Sequence, residues 1–215
     1  MSGLSRNDYP PAPVPGRPTK RSLSEAIGGC RACDLWEGAT QAVLGEGPSK
    51  APVMLIGEQP GVREDIEGHP FVGPAGRVLD QGLERAGIAR DDVYLTNVVK
   101  HFRYEQRGKR RIHQAPDRWQ VTACLPWLRA ELVVINPPAI VLLGAVAAQA
   151  LLGPSIRIGR DRGRRVESQL AELVMITTHP SAVLRAGDYS EREQAMDAFV
   201  ADLSKVAEWL AKQLD

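Results

Sequence analysis

Residues 53–61 read Val53-Met54-Leu55-Ile56-Gly57-Glu58-Gln59-Pro60-Gly61, and this stretch decides the fold. Its four leading apolar residues predict a short strand that is buried on both faces, because a strand with one wet face would alternate apolar and polar side chains. The glycine-flanked turn places Glu58 and Gln59 at the end of that strand. The glycines let a ligand approach the backbone and Pro60 stiffens the turn, although a tight turn with an exposed Glu58 explains the pentapeptide nearly as well.

Strand and helix signals alternate along the rest of the chain. Further strands are predicted at 93–99, 139–143 and 173–177, and helices at 22–27, 76–86, 117–133, 145–152 and 191–214. Apolar strands separated by helices favour a parallel sheet that is covered on both faces. We therefore predict an α/β fold, a three-layer α/β/α sandwich with a mostly parallel central sheet of roughly four strands. Ligands of such sheets bind at the carboxyl ends of the strands.

The chain divides into a tail and one domain. Residues 1–20 hold five prolines, which predicts a disordered or polyproline-like tail outside the fold, and residues 21–215 form the single domain. No apolar run has the length of a membrane span, and the first eight residues lack the apolar core of a secretory signal. We expect a cytoplasmic monomer with no membrane partner.

Charge is nearly balanced overall but locally clustered. The chain has 27 Lys and Arg against 26 Asp and Glu, so its bulk charge favours no class of partner. Residues 100–114 hold six Lys or Arg against one Glu, and residues 157–165 hold five Arg against one Asp. Two basic clusters on a neutral protein are typical of a rim that faces phosphates, and two solvated loops are the alternative.

The cysteines point to a metal site. Three cysteines cannot all pair, and a reducing compartment disfavours disulfides. By itself, Cys30-x-x-Cys33 is also compatible with a redox dithiol or two structural thiols. Taken alone, Cys124 could equally be a core residue, and His101 could be an ordinary surface histidine. Together these four side chains match the ligand set of a zinc ion or an iron–sulfur cluster, and their spacing does not choose between the two.

Several motifs carry a family resemblance. The stretch 57–61, the pair Glu64-Asp65 and the run Gly68-His69-Pro70-Phe71-Val72-Gly73-Pro74-Ala75-Gly76 resemble the family 4 branch of the iron–sulfur uracil-DNA glycosylases. Thr96-Asn97-Val98-Val99-Lys100 and His179-Pro180-Ser181 match further motifs of that superfamily. The resemblance covers about residues 25–212.

The chain departs from ordinary family 4 members at three places. It has His101 where they usually have a cysteine, it carries the insert Arg107-Gly108-Lys109-Arg110-Arg111-Ile112-His113, and it has His69 where they commonly have arginine. The first two departures resemble the UdgX type, a bacterial offshoot that crosslinks itself to uracil-containing DNA. We have no physical account of His69.

The resemblance implies roles for the motif residues. It implies a [4Fe–4S] cluster held by Cys30, Cys33, His101 and Cys124. It implies a uracil and DNA site formed by Gln59, Asp65, Phe71, Asn97, Lys109, Arg110 and Arg111, in which Phe71 stacks on the flipped base and Asn97 pairs with its O4 and N3–H. The implied partner is uracil-containing DNA, single strands included.

The implied chemistry places three residues at the scissile bond. His179 donates to uracil O2, His113 attacks C1′ in place of water, and Glu58 is a base or an orienting group for His113. Read without the resemblance, His113 is a loop histidine that contacts phosphate. A turnover glycosylase that releases a free abasic site and an iron–sulfur DNA-binding or redox protein without catalysis are the competing functions.

Overall fold

The structure, a computed structural model of the chain, describes residues 8–213. Its strands, in chain order, are β1 (Val53–Gly57), β2 (Val93–Asn97), β3 (Tyr104–Arg107), β4 (Arg110–His113), β5 (Ala139–Leu143) and β6 (Leu173–Thr177). Four of them form one parallel sheet in the order β2-β1-β5-β6, and β3 pairs with β4 in a separate antiparallel hairpin. All carboxyl ends of the large sheet therefore lie along one edge.

Helices cover both faces of the sheet. The α-helices of the described residues are α1 (Lys20–Ile27), α2 (Leu35–Gly38), α3 (Val62–Glu67), α4 (Pro74–Ala86), α5 (Arg118–Ile135), α6 (Ala145–Leu152), α7 (Ile158–Asp161), α8 (Pro180–Arg185) and α9 (Tyr189–Ala211), and a 3-10 turn spans Arg90–Asp92. Helices α1, α5 and α6 pack on one face, and α4, α8 and α9 pack on the other. None of these helices is both long enough and apolar enough to span a bilayer.

Each strand of the sheet contributes side chains to two cores. Met54 and Ile56 of β1 join the core under α1 and α5, whereas Val53 and Leu55 join the core under α4 and α9. All five residues of β1 are buried, as are those of β2, β5 and β6. Burial on both faces explains why these strands are continuous apolar runs, and the predicted three-layer fold is confirmed.

The element boundaries differ from the predictions at several ends. Strand β2 ends at Asn97 rather than at residue 99, because the chain turns there to bond the end of β1. The last helix begins at Tyr189 and ends at Ala211, while residue 214 lies outside the described residues. The short helices α2, α3, α7 and α8 went unpredicted, since four to six residues carry too little periodicity.

The basic loop of the sequence analysis is a β-hairpin, which corrects that prediction. Strands β3 and β4 pair Tyr104 with His113 and Arg107 with Arg110, and Gly108 provides the left-handed turn residue with φ of 57°. Both strands are mostly polar and exposed, so no apolar alternation marks them in the sequence. The hairpin gives His113 a fixed place at the end of a strand.

Part of the proline-rich tail packs on the domain, unlike the tail outside the fold that the sequence predicts. Ala12 and Val14 are partly buried against the core under α1 and α5, and the Tyr9 ring lies 5.6 Å from the Trp119 ring. Residues 1–7 of the predicted tail lie outside the described residues.

Candidate active site

A cavity of about 780 Å³ opens at the carboxyl edge of the sheet. Strand β1 leads into it through residues 58 and 59, β2 ends in it, and the segment after β6 brings residues 178 and 179 to its wall. The cavity is lined by six of the side chains singled out from the sequence: Glu58, Gln59, Phe71, Asn97, His113 and His179. The parallel sheet thus gathers residues that are up to 121 positions apart in the chain.

Phe71 forms an apolar wall of this cavity and has an unusual backbone. Its φ is 56°, a left-handed conformation that is rare for an aromatic residue, and it is 6% exposed. The ring lies over Gly57, where an added Cβ would come within 2.7 Å of Phe71 Cζ and 2.4 Å of Asn97 Oδ1. Gly57 therefore lets the ring and the amide both come close to the end of β1.

Two buried acceptors in the cavity lack hydrogen-bond partners. Among the described residues, the buried side-chain oxygen and nitrogen atoms without a hydrogen-bond partner are Glu58 Oε1 and Asn97 Oδ1. Leaving a buried polar atom unpaired costs about 1–3 kcal/mol, so such atoms mark a place where a ligand supplies the partner. Burial also raises the pKa of Glu58 above its usual value, and the positive charge of Arg185 opposes that shift.

His113 reaches the cavity from the end of β4. Its Nε2 lies 3.6 Å from Glu58 Oε1, which is too long for a hydrogen bond, and the two groups attract each other as an ion pair only when the ring is protonated. Burial, and then the charge of Arg185, lower the pKa of His113, while a hydrogen bond to its own backbone opposes the shift. The imidazole is therefore neutral near pH 7, which keeps a lone pair available on one ring nitrogen.

His179 is held as a neutral hydrogen-bond donor. Its Nδ1 caps α8 by accepting the backbone N–H of Ser181 at 3.2 Å, so the proton of the neutral ring belongs on Nε2. Burial, followed by the charges of Arg185 and His113, lowers the pKa of His179 to about 4. The His179 ring lies 6.2 Å from the Phe71 ring at an angle of 29°.

Gln59 lines the cavity, but its polar atoms hold the hairpin. Its Nε2 donates to the carbonyl oxygens of Arg103 at 3.1 Å and Gln114 at 3.0 Å, and its Oε1 accepts the Arg103 N–H at 3.1 Å. Residues 103 and 114 are the two ends of the hairpin. The side chain that we expected to complete the base pocket therefore ties the hairpin to the end of β1.

Arg111 and Asp65 form a second anchor of the hairpin. Arg111 pairs with Asp65 at 2.6 Å and lies over the rings of Phe102 and Tyr104, 5.7 and 5.3 Å from their centroids. Asp65 is fully buried and also accepts two hydrogen bonds from Thr40. Neither Asp65 nor Arg111 lines the cavity.

The remaining basic residues of the insert are exposed and do not line the cavity. Lys109 lies in the turn of the hairpin and Arg110 begins β4, and both are exposed. In the second basic cluster, ion pairs join Arg160 to Asp161 and Arg162 to Asp202. These two arginines of the second cluster therefore bind carboxylates of the protein itself.

Arg185 is a cavity residue that the sequence analysis missed. It lines the cavity at the end of α8, and its guanidinium donates to Ser181 Oγ at 2.9 Å. Its charge acts on Glu58, His113 and His179 alike. The four-residue spacing between Ser181 and Arg185 would have placed them on one helix face, but α8 itself was not predicted.

The four predicted cluster ligands are all buried, and the three cysteines among them belong to the core under α1 and α5. Cys30, Cys33, His101 and Cys124 are each no more than 5% exposed. Backbone and indole N–H groups donate to the sulfurs: Lys100 N to Cys124 Sγ and Trp127 Nε1 to Cys30 Sγ, each at 3.2 Å. Burial raises the pKa of Cys33 to about 11 and that of Cys124 to about 12, and lowers that of His101 to about 4.

The chemistry of this donor set is compatible with an iron–sulfur cluster. The thiols of Cys30 and Cys33 lie near enough to that of Cys124 to act on its pKa. Thiolate and imidazole ligands, with N–H groups aimed at sulfur, are typical of such clusters. In the described part of the chain, no three His, Cys, Asp or Glu side chains are grouped closely enough to hold one metal ion.

Comparisons with known proteins agree with this architecture. The family model described as the uracil DNA glycosylase superfamily matches residues 44–204. A type-4 uracil-DNA glycosylase of Pyrobaculum aerophilum is 38% identical over 172 residues, which cover 77% of this chain and 84% of that protein. One from Thermotoga maritima is 34% identical over 192 residues, covering 89% of this chain and 94% of that protein. The chain thus belongs to the uracil-DNA glycosylase superfamily.

Proposed function

We propose that this protein excises uracil from DNA and then bonds itself to the resulting sugar through His113, as the UdgX type does. The observation that carries the proposal is the pair of unpartnered acceptors, Asn97 Oδ1 and Glu58 Oε1, in one cavity with His113 at its mouth. The first acceptor matches the N3–H of uracil. The second acceptor, Glu58 Oε1, would face the sugar, on which positive charge develops as its bond to uracil breaks. Type-4 relatives support the excision step.

Base selection follows from the Asn97 amide. In the proposed complex, Oδ1 accepts the uracil N3–H and the amide NH₂ donates to O4, while Phe71 stacks on the ring. Cytosine presents an acceptor at N3 and a donor at C4, so both contacts would become repulsive. The cavity that Phe71 and Asn97 line can take the base only after the base leaves the stack.

His179 assists departure of the base. As the C1′–N1 bond breaks, its electron pair moves into the uracil ring and negative charge grows on O2. The Nε2–H of His179 donates to that oxygen, and a preorganised donor of this kind is worth about 3–4 kcal/mol. The lowered pKa of His179 supports a neutral donor, so O2 is stabilised by a hydrogen bond and the uracil anion leaves.

His113 then takes the position of water. Because its Nε2 faces the cavity and its ring bonds its own backbone, we assign the proton of the neutral ring to Nδ1 and the lone pair to Nε2. Nε2 bonds to C1′ as the sugar–uracil bond breaks, which gives an alkylated imidazolium. Loss of the Nδ1 proton to solvent leaves a neutral N-glycoside, which is a poor leaving group.

The position of Glu58 favours an orienting role over that of a base. Its carboxylate faces Nε2, and one ring nitrogen cannot both bond C1′ and surrender its proton there. We propose that Glu58 stabilises the cationic sugar and orients the His113 ring by attracting the imidazolium that the bond to C1′ creates. At the 3.6 Å that separates Glu58 Oε1 from His113 Nε2, two opposite charges in a partly buried site attract each other by about 4 kcal/mol. Of the two roles that the sequence leaves open for Glu58, a base or an orienting group, we therefore propose the orienting group.

Cys30, Cys33, His101 and Cys124 would hold the [4Fe–4S] cluster. When bound, the cluster would connect the segment before α2 to α5 and to the turn after β2, and we assign it no step of the reaction. Lys109 and Arg110, exposed on the hairpin turn, are the proposed phosphate contacts for uracil-containing DNA, single strands included. Binding that uses them should weaken as salt rises.

A denaturing gel tests the proposed function. Wild-type protein mixed with a labelled uracil oligonucleotide should give a band of protein bound to DNA that survives denaturation. His113→Gly should give no such band and should leave an abasic strand that alkali cleaves, because water can enter the vacated space. Free abasic product from wild-type protein would indicate a turnover glycosylase, and an unchanged oligonucleotide would indicate a protein without this catalysis.

A further inference from the structure

A fully buried ion pair lies directly beneath the residue proposed to read the base. Lys100 Nζ contacts Glu131 Oε2, and both side chains are 0% exposed. Lys100 follows β2 by three residues, whereas Glu131 lies on α5. A buried ion pair of this kind is commonly no more stabilising than apolar residues of the same size, so stability alone does not explain it.

The ammonium group of Lys100 uses all three of its donors. Besides Glu131, Nζ donates to Thr96 Oγ1 at 2.7 Å and to the backbone carbonyl of Asn97 at 2.7 Å. The Asn97 carbonyl belongs to the last peptide of β2, from which the base-reading side chain departs. Lys100, which does not line the cavity, therefore fixes the orientation of that peptide.

Glu131 fixes the ammonium in turn. Its carboxylate accepts from the backbone N–H of Gly45 at 2.7 Å, from Tyr94 Oη at 3.1 Å and from Thr96 Oγ1 at 3.0 Å. With Lys100 added, every polar group of this network is satisfied. Such networks rigidify their surroundings, because any displacement would leave a buried group unpaired.

The Asn97 side chain has no comparable support of its own. Its Oδ1 lacks a hydrogen-bond partner within the described residues, and its neighbours there are the backbone of Gly57 and the ring of Phe71. The orientation of the amide therefore depends on its own backbone and on packing. The carbonyl that Lys100 holds is part of that backbone.

We infer that Lys100 and Glu131 are positioning residues that set the Asn97 amide for uracil, so that this buried ion pair contributes to base selection. The inference rests on the proposed function. It assigns a role in recognition to a pair of residues that touches neither DNA nor the cavity.

A double-mutant cycle tests the inference. The variant Lys100→Met/Glu131→Gln removes both charges, while the new amide keeps an acceptor for Gly45 and Tyr94. Single-turnover excision of uracil should fall about 10- to 100-fold, as expected for a displaced recognition group. Binding to uracil-free DNA and the midpoint of urea unfolding should stay close to wild type.

The decisive arm repeats this change in an Asn97→Ala background. If the ion pair acts through Asn97, the charges no longer matter there, and the rate should change by less than about twofold. An additive loss in that background would overturn the inference, as would an undiminished rate in the Asn97-containing protein. Wild-type protein that releases no uracil would instead contradict the proposed function itself.

Two further variants complete the design. Gln149→Leu removes a side-chain hydrogen bond to the Ile156 carbonyl, outside this network, and it should excise uracil at nearly the wild-type rate. Thr96→Val removes one acceptor of Lys100 and leaves no charge unpaired. If the double variant does not fold, the cycle with Thr96→Val gives the same test, and additivity there overturns the inference.

Discussion

Replacing Gln59 should slow the proposed crosslink and spare excision, because the polar atoms of this side chain hold the hairpin. Gln59→Leu keeps the volume of the side chain and removes three hydrogen bonds to residues 103 and 114. At about 1 kcal/mol for each hydrogen bond, the docked hairpin loses about 3 kcal/mol. Since 1.4 kcal/mol corresponds to a factor of ten, docking should weaken up to about 100-fold.

The consequence should be selective for His113. Asn97, Phe71 and His179 belong to other elements and stay in place, so uracil should still leave. The crosslink should form up to about 100-fold more slowly, and water should capture a growing share of the sugar. A quenched time course on a denaturing gel measures both products, since the adduct migrates slowly and the abasic strand breaks in alkali.

A matched control is available within the chain. Gln149 holds a different loop by donating to the carbonyl of Ile156 at 3.0 Å, and Gln149→Leu should leave both products unchanged. Two results would refute the reasoning about Gln59: an adduct that forms at the wild-type rate in Gln59→Leu, or a loss of excision as large as the loss of crosslinking.

Three further predictions concern other parts of the site. Burial and the charge of Arg185 lower the pKa of His113, so Arg185→Gln should raise that pKa. Because the neutral ring is the nucleophile, the acid limb of the rate–pH profile for crosslinking should move to higher pH. An acid limb that does not move would contradict this prediction. Asn97→Ala should weaken the selective excision of uracil far more than the affinity for uracil-free DNA, and the slower excision should still be measurable in a single turnover; an equal loss of both in binding and gel assays would make Asn97 structural. His101→Cys should retain iron and a broad visible absorption band, because thiolate is the commoner ligand; metal analysis that finds zinc without iron would exclude the cluster.

The sequence predicts the central sheet well because its strands are buried on both faces. Strand β1 and its partners are uninterrupted apolar runs, which few other elements produce. The carboxyl ends of parallel strands meet at one edge of the sheet. Residues at or just after the ends of the strands, such as Glu58, Asn97 and His179, are therefore expected to lie close together.

The hairpin and its anchors could not be read from the sequence in the same way. Residues 104–107 are polar and mostly exposed, and no periodicity marks them as a strand. Their conformation depends on tertiary contacts, namely the Gln59 hydrogen bonds and the ion pair between Arg111 and Asp65. Glutamine and aspartate in motifs near a binding site suggest contact with the ligand, but here they support a loop.

Long-range polar contacts explain the other omissions. Glu131 is 31 residues from Lys100, and no local pattern connects an acidic residue in a helix to a lysine after a strand. The sequence does not identify Arg185 as a cavity residue, because α8 is six residues long and has no clear apolar periodicity. Such residues become visible only when the fold brings their elements together.

Peptide mapping of the wild-type adduct is the most direct test of the central claim, that His113 Nε2 bonds to C1′. Trypsin should cut after Arg111 and Arg118, and fragmentation of the resulting peptide should place the sugar from which uracil was excised on His113, without borohydride treatment. A sugar found on Lys109, or an adduct that needs borohydride to survive, would indicate a Schiff base with an opened sugar and would contradict the histidine mechanism.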